Sequence, residues 1–193
     1  MTIPHAHVID RSAVPAQFPT HLHEPKFWEA LGRAVATLGF LEEVLGKAIF
    51  ALTATRRYPA DEIDEAFAQW LPTLERALYD PLGGLIDNFG AALRKHEDST
   101  ISNLSDLLDD MRELAKLRNV LCHGSWRAPD QDGRSVPFFV NKKMEIFTDP
   151  IDVAYLIRVQ QYTSELIATV IDVVTHMGWQ FPGSLGPGRP IVP

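Results

Sequence analysis

The stretch ISNLSDLLDDMRELAKLRNVLCHG, residues 101–124, decides how the chain folds. Leu104, Leu107, Leu108, Met111, Leu114 and Ala115 fall on one stripe at about 100° per residue, which predicts an amphipathic helix from Ile101 to Val120. Arg118 lies inside that stripe. A fixed positive charge on a core-facing line is costly unless it is paired or reaches past the core. His123 lies five residues on, about 140° away around an ideal helix. Asn119 and His123 are four apart and share a face, so the amide can orient the imidazole, and Gly124 loosens or caps the terminus. Cys122, the only cysteine, excludes an internal disulfide or a multi-cysteine metal site and reads as a small core hydrophobe.

Upstream, Phe27, Leu31, Val35, Leu38, Leu45, Ile49 and Leu52 predict a long amphipathic helix starting at Pro25. Glu42 fills the gap between Leu38 and Leu45, on that helix's buried stripe. Opposite charges on two core-facing stripes invite pairing, so Glu42 is expected near Arg118, with Glu43 the alternative if the phase slips by one. Such a pair can equally be a helix-to-helix salt bridge with no catalytic meaning. Tyr58-Pro59-Ala60-Asp61 breaks the chain, with Asp61 as N-cap of a shorter helix through Trp70 and Leu71. Pro72 and Pro81 are expected to interrupt the chain beyond Leu71, and Pro81 to Arg94 forms a further helix on Leu82, Leu85, Ile86, Phe89 and Leu93. Gly83-Gly84 lacks the preceding strand and following Lys-Ser/Thr of a phosphate loop, and reads as close helix packing.

Downstream, Ser125 to Arg134 is rich in Asp, Gly and Pro. Ser135–Val140 and Met144–Thr148, separated by Asn141-Lys142-Lys143, predict a small β-hairpin. Asp149-Pro150 then opens a last helix, from about Ile151 to Met177, ended by Gly178. The sum is an all-α protein, a bundle of four main helices with a short β-hairpin insertion before the last helix. One domain spans residues 25–178. Residues 1–24 form a Pro- and His-rich arm, and 179–193 an extended or disordered tail.

Hydrophobic content of 46% and charged content of 22% are those of a folded domain, and no apolar run approaches the roughly 20 residues that span a bilayer. No membrane partner is expected. The start, MTIPHAHVID, has neither the basic residues nor the apolar core of a secretory signal, so the expected location is cytoplasmic. The pairs His5/His7 and His21/His23 lack acidic or cysteine ligands at fixed spacing and read as solvated tail; neither metal nor cofactor is expected. A net charge of −7 argues against a general nucleic-acid coat. The window Arg112–Lys143 nevertheless carries seven Lys or Arg against three acids. Within it Arg112, Lys116 and Arg127 are candidate phosphate or RNA contacts. Asp109 and Asp110 lie just outside the window.

Arg118, Asn119, three further residues and His123, at a helix end in a helical chain, resemble the motif of HEPN domains (higher eukaryote and prokaryote nucleotide-binding). In that family an Arg, often followed by a polar residue, precedes a His by four to six residues. Cleavage of RNA without a metal needs a base for the 2′-hydroxyl, a cation for the scissile phosphate and an acid for the leaving 5′-oxygen. Arg118 can grip a phosphate with its planar fork, His123 is of the residue type that serves as general base or acid, and Asn119 can steer either. Two groups about 140° apart on one helix do not flank one phosphate, and one His cannot be base and acid at once. A second copy resolves both. The resemblance implies a metal-independent endoribonuclease leaving 2′,3′-cyclic phosphate and 5′-hydroxyl ends, with a composite site in a homodimer. It also implies a possible toxin or defence effector restrained by a nucleotidyltransferase-like antitoxin. The alternative is a non-catalytic HEPN-like module that binds a nucleotide, RNA or a protein; a third reading is an unrelated helical adaptor.

Overall fold

The computed structural model describes residues 8–54, 58–99 and 101–184. Among them the regular structure is helical: α1 (Pro25–Ala54), α2 (Ile63–Tyr79), α3 (Leu82–Lys95), α4 (Leu104–His123) and α5 (Val153–His176). No helix of the described residues is long and apolar enough to cross a membrane.

The bundle is organised around α1. Its buried residues include Phe27, Leu31, Ala34, Leu38, Leu41, Leu45, Ala48 and Leu52, the three- and four-residue spacing of a core-facing stripe. Leu38, Leu41, Leu45, Ile49 and Leu52 are each at most 1% exposed, and burying one such side chain contributes about 1.5–3 kcal/mol. That stripe packs most extensively against α5, then against α3 and α2, and less against α4. α4 rests chiefly on α3. Their approach is close because Gly90 offers no side chain: a Cβ there would stand 2.6 Å from Leu108 Cδ1. Gly83 has open space beside it and Gly84 faces the Asp80 side chain, so the twin glycines do not serve the close packing expected of them.

Several expectations are corrected. The helix expected to be short runs on to Tyr79 as α2, so among the described residues five full helices rather than four main ones make up the bundle. Pro72 does not interrupt α2. It lies on the exposed side, where Ala68, whose carbonyl loses its helical donor, is also exposed. Asp61 is not the cap; Glu62 occupies that position and makes no side-chain capping bond. The last helix begins at Val153, capped by the Asp152 carboxylate accepting from the Tyr155 N–H at 2.6 Å.

The β-hairpin is not formed as two strands. The residues of the expected first strand pair in three directions through single antiparallel bridges, Ser125 with Phe138, Ser135 with Ile151 and Val140 with Ile146. Pro137, with no N–H to donate, sits between the first two. The Asn141 carboxamide oxygen accepts from the N–H groups of Lys143 and Glu145, and Met144 turns the chain at φ 64°.

The terminal segments are anchored where they are described. Thr20's carbonyl accepts from Trp28 Nε1 at 2.9 Å, and His23 is buried against Phe27, Trp28 and Trp126. Phe181 is buried in the core, so the tail is held at least as far as that ring. His5 and His7 lie outside the described residues, as do residues 185–193 of the tail.

Candidate functional site

The last two turns of α4 carry the predicted motif, and helical phase sends its side chains in different directions. Leu114 and Leu121, seven apart, are buried and hold the helix against the core. Arg118 lies between them on the same line and is half-buried. Its Nη2 stands 3.3 Å from Oε1 of Glu42 on α1, with the two side chains 29% and 27% exposed. That carboxylate oxygen is itself shielded and accepts no hydrogen bond, so the contact is an ion pair without a well-aligned donor. Glu43 points elsewhere, binding Lys47 one turn along α1 at 2.6 Å. Glu42 is therefore the acid that faces α4.

Asn119, 100° further round, is exposed and lines a cavity between α4, the 125–152 connection and α5. His123 is the last residue of α4, exposed, and makes no hydrogen bond or ion pair among the described residues. Asn119 does not orient it. Arg118 and His123 line neither that cavity nor the one beside Glu42 and Glu43 at the α1–α2 face. Within one chain, then, the geometry joins Arg118 to Glu42, while Asn119 lines a cavity that neither Arg118 nor His123 borders.

Cys122 is exposed, not core. Leu121 takes the inward position, and Cys122, three residues after Asn119, shares the outward face. Gly124 ends the helix with ordinary extended backbone, φ −69°. Its requirement is space: a Cβ there would stand 2.5 Å from the Val120 carbonyl oxygen and 2.8 Å from Pro137 Cβ. This close approach seats Ser125 opposite Phe138, whose backbones exchange two hydrogen bonds of 2.9 and 2.8 Å.

The expected basic neighbourhood is largely neutralised. Arg112 bridges Asp87 on α3 and Asp109 at 2.9 and 2.8 Å, and these hydrogen bonds raise its pKa further. Lys116 pairs with Glu113, and Arg134 with Asp130 and Asp132. Arg127 instead lies 5.2 Å from the Phe138 ring centre, a cation–π distance. Of the three candidate phosphate contacts, only Arg127 keeps clear of a carboxylate.

Two features are not foreseen from the sequence. One is the cavity of about 500 Å³ that Asn119 lines. The other is the aromatic box around His23, whose Nδ1 and Nε2 are both shielded without a hydrogen-bond partner. Burial lowers the pKa of this imidazole and favours its neutral form. The four-residue spacing of His23 and Phe27, which stack with ring centres 4.4 Å apart, is a usable signal for half of the box. Trp126, about a hundred residues away, offers none. Comparison with protein-family models, curated proteins and solved structures gives no match.

Proposed function

We propose that the chain is a HEPN-type, metal-independent endoribonuclease that works in the cytoplasm as a homodimer. The observation that carries this reading is the pairing of an incompletely bonded, part-exposed Arg118 with an exposed, unpartnered His123 at one helix end. The guanidinium has five N–H donors and the Glu42 contact leaves most of them for a phosphate. His123 from one copy takes the 2′-hydroxyl proton, and the 2′-oxygen attacks the phosphorus as the bond to the 5′-oxygen breaks. The second copy's imidazolium returns a proton to that leaving oxygen. The products are a 2′,3′-cyclic phosphate and a 5′-hydroxyl. Asn119 and Arg127 contribute contacts to the strand, and a nucleotidyltransferase-like antitoxin is the partner class that the toxin reading calls for.

The test is cleavage of an end-labelled RNA in EDTA by wild type and by His123→Ala, with sedimentation of both. Loss of cyclic-phosphate product in a variant that still dimerises supports the proposal; equal, background-level cleavage by both overturns it. A specific observation favours a second reading, a non-catalytic nucleotide-, RNA- or protein-binding module: Arg118, Arg112 and Lys116 all face carboxylates, as architectural cations do. On that reading Arg118→Ala weakens folding, and His123→Ala changes nothing.

A further inference from the structure

α4 and α5 touch little, and the 125–152 connection bridges the gap between them. The space left is the cavity of about 500 Å³, within the range that holds a small organic ligand. Its lining includes four aromatic residues, Phe139, Phe147, Tyr155 and Tyr162, and the apolar Leu114, Leu117 and Val120 of α4. Charge at this cavity is one-sided: Asp110, Glu113, Glu145 and Asp149 line it against Lys116 alone, and Glu113 already engages that ammonium. Arg158 stands 5.8 Å from the Tyr155 ring centre and does not line the cavity.

Each property narrows the ligand. A phosphate or carboxylate would enter against three uncompensated acids, so this is not a second RNA contact. An inorganic cation would leave four aromatic walls unused. Aromatic faces attract cations through the ring quadrupole and also shed water from an apolar body. We propose that this cavity binds a small organic cation, an alkylated ammonium on an apolar body, with the aromatic rings enclosing it and Asp110 and Asp149 setting its sign. Neither Arg118 nor His123 borders this cavity; Asn119, given to the RNA strand on the nuclease reading, is shared between the two sites, so choline binding is read on amides away from it.

The probes are choline and 3,3-dimethylbutan-1-ol, which share a shape and differ in charge. Backbone amide NMR of the full chain reports binding, and the dispersion of the same spectra reports folding. Choline should shift the amides of Phe139 and Phe147 saturably, and the neutral alcohol should bind about tenfold more weakly. Asp149→Asn and Phe147→Leu, in folded variants, should each weaken choline about threefold to tenfold. Equal binding of the two probes, or no saturable shift with choline up to about 10 mM, would overturn the proposal.

Discussion

The Glu42–Arg118 contact can be weighed by a double-mutant cycle, with Glu42→Gln, Arg118→Gln and the double variant unfolded in urea. At 3.3 Å, an effective dielectric near 20 gives a gross attraction of about 5 kcal/mol. Two facts cut that down. Each side chain is more than a quarter exposed, so water screens the pair, and the shielded Glu42 oxygen lacks an aligned donor. Partial desolvation of both ions offsets more of the gain. The expected coupling energy is about 1 kcal/mol, at the upper end for exposed pairs. Raising the salt from about 0.1 to 1 M, which shortens the screening length from roughly 10 to 3 Å, should reduce it by about half at most, because the pair is partly shielded from the salt. A coupling above about 3 kcal/mol would refute this reasoning, since it would mean a sealed pair with no capacity to spare for a phosphate. A coupling indistinguishable from zero would refute it in the other direction.

The geometry sets two further outcomes. Gly124→Ala should destabilise the protein by about 1–3 kcal/mol in urea unfolding, because the new methyl meets the Val120 carbonyl and Pro137; a neutral effect would show that the α4 terminus yields easily. His23 has a folded-state pKa below its ordinary value of 6.5, so the unfolded chain takes up the proton first as pH falls. Its contribution to stability is therefore complete above about pH 6.5 and is lost as pH drops toward the lowered folded value. Trp28 and Trp126 emission should shift over that range in wild type and not in His23→Leu; an identical pH response in both would remove His23 as its source.

Legibility in the sequence depends on which forces are local. The three- and four-residue spacing of Leu38, Leu45, Ile49 and Leu52, or of Leu107, Leu108, Met111 and Leu114, encodes which face of a helix is buried, and these residues are buried. Charges that interrupt such stripes are visible in the same way, which is why Glu42 and Arg118 stand out in the sequence alone. The connection from Ser125 to Asp152 misleads because its residues pair with three separate partners, and alternation along one run does not say which. Pro72 misleads because a proline inside a helix costs about 3 kcal/mol as a local rule, whereas here the Ala68 carbonyl that it deprives of a donor is open to water. The cavity has no sequence signal, since it lies where two helices diverge.

The dominance of the α1–α5 contact also has a consequence for synthesis. At about 5–20 residues per second, α5 is completed on the order of ten seconds after α1. During that interval the long apolar stripe of α1 has only α2, α3 and α4 to cover it, and the face destined for α5 stays open to water and to other chains. A nascent or truncated chain that stops before Val153 thus leaves exposed the apolar face of α1 that α5 otherwise covers.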